Sequence, residues 1–275
     1  MSNFIKFKSN HPNEVIGSWN KMIKEVSSGY YLPGEKKKVC VDIGTNIGAF
    51  MGFVLEEDKF EKVYGYEPAF QTYHTALSML KNFKLLREDV QVRNLAVTEQ
   101  SGQILRLFGD KSGESGNTSL VRGEIHAFEE SCMTINLDDI FTLNRIDYID
   151  YLKMDCEGAE YNILYGSKRL GDVGTIFLEV HHGMMDAIKN LLQQRGFWVL
   201  GFKSPDDGST GDLLMAVNVQ REDLAKIREF YAYDEYGTKI TIAEREKDIM
   251  KEGGFKLNFE EFAKEWHEMN KGEEE

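Results

Sequence analysis

Cysteine is scarce in this sequence, which contains only Cys40, Cys132 and Cys156 among its 275 residues. An odd number of cysteines without paired spacing does not build a disulfide framework and is typical of reduced thiols in a cytoplasmic protein. No CxxC pair and no cluster of His and Cys occurs, so we expect no structural zinc site. The cysteines therefore predict a cytoplasmic location and exclude small disulfide-stabilised folds.

Long apolar runs and an excess of positive charge are also missing. No stretch approaches the roughly 18 apolar residues of a membrane span, and the N-terminal residues lack the apolar segment of a secretion signal. Lysine and arginine number 33 against 46 acidic residues, which gives a net charge of −13. A surface with this balance repels phosphate groups. We therefore expect neither a membrane nor free nucleic acid as a partner.

Three segments with different patterns divide the chain. Residues 1–34 carry apolar side chains at helical spacing and end in a Pro-Gly pair, which predicts a helical lead-in. Residues 35–220 hold the strand-like runs and are the predicted main domain. Residues 221–275 carry 16 acidic and 10 basic residues and predict an acidic helical tail, which either covers the active site or forms a homodimer interface. Its two expected amphipathic helices contain Leu224, Ile227, Phe230 and Tyr231, and Phe259, Phe262, Ala263 and Trp266.

Short apolar runs separated by helical patterns fill residues 35–220. Strands that alternate with helices form parallel βαβ units with right-handed crossovers, which place helices on both faces of one sheet. We therefore predict an α/β fold with a doubly wound, mostly parallel sheet. The expected strands are Val39–Ile43, Val63–Tyr66, Val90–Val97, Ile104–Phe108, Met133–Leu137, Tyr148–Met154, Thr175–Val180, Trp198–Phe202 and Leu213–Val219, and the expected helices include Ile47–Glu57 and Tyr73–Phe83.

One glycine- and serine-rich segment interrupts this alternation. Residues 109–123 contain little apolar content, so we expect a mobile loop there. Two interpretations remain open: an ordinary connection between two strands, or a flap over a ligand site.

The strongest motif is VCVDIGTNIGAF at Val39–Phe50, where an apolar strand leads through a turn into a helix. Gly44 and Gly48 allow the backbone to approach a ligand at points where a Cβ would collide. The N–H groups at the start of the helix are further hydrogen-bond donors, and we expect Asn46 to cap that helix. The turn behind Asp42 is therefore a predicted ligand site.

Glu67 indicates that the ligand contains adenosine. It ends the second predicted strand, 19 residues after Gly48, where an acid can accept hydrogen bonds from both ribose hydroxyls. A dinucleotide fingerprint also needs a central glycine, but Asn46 occupies that position. Asp42 would repel phosphates and attract the sulfonium or amino group of S-adenosylmethionine. We therefore predict S-adenosylmethionine as the cofactor rather than a dinucleotide.

A second motif, YLKMDCEGAEYNIL at Tyr151–Leu164, places three carboxylates after another strand. Asp155 ends the strand, and Glu157 and Glu160 precede a helix. Open α/β sheets bind ligands at the carboxyl ends of their strands. An acid at a helix N-terminus also stabilises the helix dipole, which would be enough to explain Glu160 but does not explain Asp155.

A third motif, FLEVHHG at Phe177–Gly183, also lies at the carboxyl end of a strand. Because side chains alternate along a strand, Glu179 and His181 are expected to share one face. A histidine of ordinary pKa accepts protons at neutral pH. His181, and less directly His182, are therefore candidates for a role in the site.

Together these segments resemble the FkbM family of S-adenosylmethionine-dependent methyltransferases. The matching segments are VDIGTNIG, YEP, NLAVTEQSG, TINLDDI, LKMDCEGAEYNIL and IFLEVHHG, in this order between about Val39 and Val219. KMDCEGAE is the most diagnostic, because general class I methyltransferases do not share it. The resemblance implies the seven-stranded, Rossmann-like class I sheet with its last strand antiparallel, and methyl transfer, often to a hydroxyl oxygen of a sugar, polyketide or other small molecule.

The resemblance also implies roles for individual residues. The donor-binding set consists of Asp42, Gly44, Gly48 and Glu67, to which we add Asn46 and Asn94 from the same segments. Asp155, Glu157 and Glu160 shape the central site, and with His182 the two glutamates are candidates for binding the acceptor.

An alcohol that attacks a methyl group must lose its proton, and we expect Asp155 or His181 to accept it while Glu179 orients the site. Two alternatives stay open: a metal-assisted enzyme in which Asp155, Glu179 and His181 bind magnesium or manganese, and a scaffold protein that binds the donor without catalysis. The expected partner is a small-molecule or glycan acceptor. Tyr30, Tyr31, Phe108 and Phe128 either line its pocket or belong to the core.

Overall fold

The computed structural model describes residues 13–109, 128–202, 212–222, 224–234, 236–244 and 255–256. Most of the predicted loop at residues 109–123 lies outside the described residues, and so does the expected tail helix with Phe259, Phe262, Ala263 and Trp266. The side chains of Phe108 and Phe128 lie outside them as well.

The described strands are β1 (Lys37–Ile43), β2 (Phe60–Tyr66), β3 (Val90–Arg93), β4 (Ala96–Val97), β5 (Ile104–Gly109), β6 (Phe128–Ile135), β7 (Ile149–Met154), β8 (Val173–Val180), β9 (Phe197–Phe202), β10 (Asp212–Asn218), β11 (Tyr231–Tyr233), β12 (Lys239–Thr241) and β13 (Phe255–Lys256). Within the described residues, eight of them form the main sheet, in the order β13-β9-β10-β8-β7-β1-β2-β3. Strands β3, β2, β1, β7 and β8 are parallel, whereas β10 lies antiparallel between β8 and β9. The predicted seven-stranded sheet with an antiparallel last strand is confirmed, and β13 adds an eighth strand at its edge.

Helices cover both faces of this sheet, as predicted. The helices are α1 (Asn13–Gly29), α2 (Ala49–Glu56), α3 (Phe70–Asn82), α4 (Leu137–Asn144), α5 (Glu160–Gly166), α6 (Met185–Gln194) and α7 (Leu224–Arg228). Side chains of α1, α2 and α3 pack in one core cluster, and those of α4, α5 and α6 pack in another. Within β1, Cys40 belongs to the first cluster while Val39 and Val41 belong to the second. This alternation explains why the central strands are apolar on both faces.

A small second sheet, with strand order β4-β6-β5, stands apart from the main one. The expected single strand Val90–Val97 was wrong, since it divides into β3 and β4. Between them, the side-chain amide of Asn94 donates to the carbonyl of Pro68 at 2.7 Å and so holds the chain away from the path of β3. The strand expected to reach Leu137 ends at Ile135, because Asn136 accepts a hydrogen bond from the Asp139 N–H at 2.8 Å and caps α4.

The lead-in and the tail contribute to the same core cluster as the first face of the sheet. Trp19 of the lead-in and Ile227 and Phe230 of the tail are all buried there. The expected tail helix containing Tyr231 was wrong, because α7 ends at Arg228 and Tyr231 begins β11. Tyr231 pairs instead with Leu32 in the lead-in, which is a long-range contact that helical spacing cannot reveal. The boundaries at 34 and 220 stay a prediction.

Within the described residues, no helix has both the length and the apolar character that crossing a membrane requires.

Candidate functional site

The candidate site lies between β1 and β7, where the order in which strands are added to the main sheet changes direction. Strands β2 and β3 extend the sheet on one side of β1, and β7 and β8 extend it on the other. Ligands of open α/β sheets bind at such a switch point, outside the carboxyl ends of the strands. A cleft opens to solvent there. Its lining residues are Ile43, Gly44, Asn46, Tyr66, Glu67, Pro68, Ala96, Val97, Leu107, Asp155, Cys156, Glu157 and Ala159.

The turn after β1 depends on glycine for two different reasons. Gly44 has a φ of 76°, and a Cβ at this position would collide with the carbonyl oxygen of Asp155 in the turn after β7. Gly48 has a φ of 87° and is itself the N-cap of α2. The expected capping role of Asn46 was therefore wrong. Asn46 adopts a positive φ of 53°, and its side-chain oxygen accepts from the Ile47 N–H. Position 44 therefore has no room for a side chain because the protein backbone, rather than a ligand, lies against it.

Glu67 is buried at the edge of the cleft and is held by backbone donors. One carboxylate oxygen accepts from the Asn46 N–H at 2.8 Å, and the other accepts from the Ala69 N–H at 2.9 Å. Burial raises the pKa of Glu67 to about 7, against the effect of these hydrogen bonds. Asn94 does not line the cleft, and its amide donates to the carbonyls of Glu67 and Pro68 at 3.0 and 2.7 Å. Asn94 therefore fixes the segment that carries Glu67.

Asp42 is fully buried and does not line the cleft. Its carboxylate lies 3.2 Å from the ammonium nitrogen of Lys153, a buried residue of β7 that the sequence analysis missed. Lys153 also donates to the Gly44 carbonyl at 2.8 Å and lies 3.7 Å from the Asp155 carboxylate. Burial opposes the charge on Lys153, but the carboxylates of Asp42 and Asp155 outweigh it and raise the pKa of Lys153. The expectation that Asp42 attracts a positively charged donor directly is corrected, because Lys153 compensates its charge.

A lysine in the buried part of β7, between Leu152 and Met154, was the available signal for Lys153. Lysine is almost never buried without a partner, so its place in the LKMD segment implies an acidic neighbour. Pairing of β7 with β1, which places Lys153 opposite Asp42, identifies that neighbour.

The turn after β7 and the end of β8 bring four of the predicted acidic and histidine side chains together. The His181 Nδ1 lies 3.0 Å from the Glu160 carboxylate, and its Nε2 lies 3.8 Å from Glu157 and 3.6 Å from Glu179. Glu160 is buried, and the same carboxylate oxygen accepts from the Cys156 N–H at 3.1 Å. Glu160 therefore supports His181 from behind, whereas Glu157 borders the cleft.

These contacts set the protonation of His181 and Glu160. Burial opposes the positive charge on His181, but the hydrogen bond to Glu160 and the nearby carboxylates raise the pKa of His181 to about 9. Burial likewise opposes the charge on Glu160, but hydrogen bonds from His181 and the backbone outweigh it and lower the pKa of Glu160. His181 thus carries a proton at neutral pH in this arrangement, which differs from the histidine of ordinary pKa that the sequence analysis assumed.

The remaining candidates do not line the cleft. His182 is exposed, has a φ of 55°, and packs so closely on Gly158 that a Cβ there would collide with its ring. Tyr30 and Tyr31 are buried in the core cluster of the first face and do not line the cleft.

Comparison with known proteins assigns this fold and site to a family. A family model described as the methyltransferase FkbM domain matches residues 42–199, which is more than half of the chain. The chain belongs to the FkbM methyltransferase family. This membership confirms the resemblance seen in the sequence. The match begins at Asp42 and contains Glu67, Asp155 and His181.

This FkbM methyltransferase is similar to part of a much longer protein. It is 24% identical over 214 residues to the AMB antimetabolite synthetase AmbE of Pseudomonas aeruginosa, which covers 62% of this chain and 10% of AmbE. The chain therefore spans about a tenth of the length of this relative.

Two solved structures are also similar to it. One is the methyltransferase FkbM from Methylobacillus flagellatus, with 18% identity, a TM-score of 0.47, and coverage of 66% of this chain and 44% of that one. The other is TrmK of M. capricolum in complex with S-adenosylhomocysteine, with 11% identity, a TM-score of 0.46, and coverage of 74% and 69%.

Proposed function

We propose that this FkbM methyltransferase transfers the methyl group of S-adenosylmethionine to a hydroxyl oxygen of a sugar, glycan or other small molecule by in-line displacement. The observation that carries the proposal is that Glu67 and Asp155 line the same cleft from the ends of β2 and β7. A buried carboxylate at the first position can hold a ribose diol. A partly exposed carboxylate at the second can accept the proton of an attacking alcohol.

The donor side of the cleft has the chemistry that an adenosine ligand requires. Each carboxylate oxygen of Glu67 accepts one backbone hydrogen bond and keeps a second lone pair for a ribose hydroxyl. Ala96, Val97 and Leu107 form an apolar wall to which a purine base can pack. The residues present therefore fit the cofactor.

S-adenosylmethionine, when bound, supplies an electrophilic methyl group on a sulfonium whose leaving group is a neutral thioether. The residues of the chain have to hold the acceptor oxygen in line with that methyl group and remove its proton, and alignment alone can supply several kcal/mol. Asp155 is the proposed proton acceptor, because it lines the cleft whereas His181 does not. The ammonium nitrogen of Lys153 lies 3.7 Å from the Asp155 carboxylate and forms an ion pair with it.

The acceptor side is strongly acidic, which bears on the substrate class. Glu157 lies beside Asp155, and Glu179 and Glu160 lie around the adjacent His181. Phosphate groups of a nucleic acid would be repelled at this edge, while uncharged hydroxyls could donate hydrogen bonds to it. These contacts support a small-molecule or glycan acceptor.

The test is S-adenosylhomocysteine release by the purified chain with panels of sugars, glycans, nucleosides and peptides. We expect turnover with hydroxyl-bearing sugars or related small molecules, and transfer to peptide or base nitrogens alone would overturn the proposal. With the acceptor identified, Asp155→Asn should lower kcat about 100-fold or more. Asp186→Asn is the matched control, because Asp186 is exposed in α6 and forms an ion pair with nearby Lys189. Near-normal turnover by a folded Asp155→Asn variant would contradict the assigned role.

A further inference from the structure

Asp155, Glu157 and His181 form a compact set of potential metal ligands beside the cleft. One carboxylate oxygen from each acid and one ring nitrogen of the histidine all lie within 4.8 Å of one another. The set combines the ends of two neighbouring strands, since Asp155 and Glu157 follow β7 and His181 follows β8. Glu157 replaces the Glu179 of the sequence-based metal alternative.

The spacing of these atoms suits an ion better than direct contacts. The His181 Nε2 lies 3.8 Å from the Glu157 carboxylate, which is too long for a hydrogen bond. Two ligand atoms that each lie about 2.1 Å from a shared ion are about 3.0 to 4.2 Å apart, depending on the angle between them. The Glu157–His181 separation falls in this range. Glu157 and His181 are thus spaced as two ligands of one divalent ion would be, and an oxygen of Asp155 lies within 4.8 Å of both.

The orientation of the imidazole is fixed independently of these two acids. Buried Glu160 holds the His181 Nδ1 at 3.0 Å and is itself held by the N–H groups of Cys156 and Gly158, each at 3.1 Å. This hydrogen bond turns Nε2 towards Glu157. A carboxylate behind a histidine is the usual arrangement at metal sites, where it fixes the ring and increases its basicity as a ligand.

The negative charge of the carboxylates around the gap between these ligands also favours binding of a cation. Glu157 and Glu179 both face the single histidine, at 3.8 and 3.6 Å. Lys153 reaches Asp155 at 3.7 Å but also pairs with Asp42, so its one charge is shared between two carboxylates. A divalent ion would compensate the excess negative charge at short range.

We propose that Asp155, Glu157 and His181 bind one divalent transition-metal ion, with Glu160 orienting the histidine. One imidazole with two carboxylates favours manganese or a similar ion over magnesium, which prefers oxygen ligands alone. Three protein ligands leave coordination positions open for the acceptor hydroxyl. Binding of the ion releases the proton from the His181 Nε2. The role, though not the binding, rests on the proposed function: the ion would lower the pKa of the coordinated hydroxyl, and the second carboxylate oxygen of Asp155 would accept its proton.

The test titrates chelator-treated protein with Mn²⁺ alone and measures free Mn²⁺ by electron paramagnetic resonance. We expect one ion per chain, and at least a tenfold weaker affinity in Glu157→Gln and His181→Ala. The Glu157 side chain is 45% exposed, so its replacement tests the site without threatening the fold. Glu160→Gln should weaken binding about tenfold by releasing the histidine. Asp186→Asn should bind as the unmodified chain does, because the Asp186 side chain is 87% exposed and pairs with Lys189.

Absence of stoichiometric binding at millimolar Mn²⁺, or equal affinity in the Glu157, His181 and Asp186 variants, overturns the metal site. Because this titration needs no acceptor, its result is separate from methyl transfer. Turnover that survives exhaustive chelation would remove the catalytic role of the ion and leave Asp155 as the proton acceptor. Turnover that requires added Mn²⁺ would support the role. Loss of all methyl transfer with intact Mn²⁺ binding would instead count against the proposed function alone.

Discussion

The ammonium nitrogen of Lys153 lies 3.2 Å from the carboxylate of Asp42, and both residues are almost completely buried in neighbouring strands β7 and β1. The pair joins the strand that leads into the donor turn to the strand that leads into the acidic turn. Removing one member leaves a buried charge without compensation, which typically costs about 3–5 kcal/mol of stability.

Lys153→Met should therefore lower the free energy of unfolding by about 3 kcal/mol, measured by denaturant unfolding. The double variant Lys153→Met/Asp42→Asn should recover part of this loss, because neither partner is then left charged. Lys36→Met is the control, since Lys36 forms an exposed ion pair with Asp58. Equal effects of the Lys36 and Lys153 substitutions would show that the buried pair does not stabilise the fold.

Donor affinity should depend on pH through Glu67. The burial-raised pKa of Glu67, about 7, means that the carboxyl group becomes protonated as the pH falls through neutrality. A protonated carboxyl offers fewer acceptor sites to a ribose diol, so affinity for S-adenosylhomocysteine should fall below pH 7 and level off above pH 8. Isothermal titration calorimetry between pH 5.5 and 8.5 measures this.

Glu67→Gln should bind more weakly at pH 8 and lose most of that pH dependence. Glu61→Gln is the matched control substitution, because Glu61 is exposed in β2, the strand that ends just before Glu67. An unchanged pH profile in Glu67→Gln would assign the titration to another group.

Gly44→Ala should damage the site in two ways, because its Cβ would collide with a neighbouring atom and because alanine is strained at a positive φ. Gly44 and Gly102 share a φ of 76°, but a Cβ at Gly44 meets the Asp155 carbonyl, whereas a Cβ at Gly102 meets no atom within 4 Å. Both substitutions carry the strain of a positive φ, about 1–3 kcal/mol. Only Gly44→Ala should also abolish donor binding, measured by calorimetry on folded protein. If both variants bound the donor equally well, the positive φ alone would explain why position 44 is a glycine.

Phe230→Ala tests whether the tail is part of the main core. Phe230 is 2% exposed and packs in the core cluster of the first face, so we expect a loss of about 3–5 kcal/mol. Tyr236→Ala, at a side chain that is 84% exposed, should stay within about 0.5 kcal/mol. If Phe230→Ala left the main unfolding transition unchanged, the tail would fold separately from residues 35–220.

The sequence predicted which strand ends meet, because parallel βαβ order alone brings the ends of β1, β2, β7 and β8 to one edge. Glu67 and Asp155 do line one cleft at this edge, and their roles in a site stay a prediction. Alternation along a strand also predicted that Glu179 and His181 lie close together, and their side chains are 3.6 Å apart. These predictions needed only the direction and order of the strands.

What the sequence left unpredicted depends on contacts between distant segments. The pairing of Lys153 with Asp42 follows from the register of β7 against β1, and that register is not visible in either strand alone. The same holds for Tyr231, whose helical spacing is overridden by its bridge to Leu32. Glu160 was assigned to the acceptor because its position in the motif does not reveal that it turns inward to His181.

The absence of a side chain at Gly44 lets the backbone of the donor turn rest directly against the Asp155 carbonyl. With no flexible atoms between them, a displacement of one turn is transmitted to the other. Occupancy of one half of the cleft should thus change the affinity of the other half, and the effect must be reciprocal. An enzyme built in this way would bind each substrate with an affinity that depends on whether the other is already present.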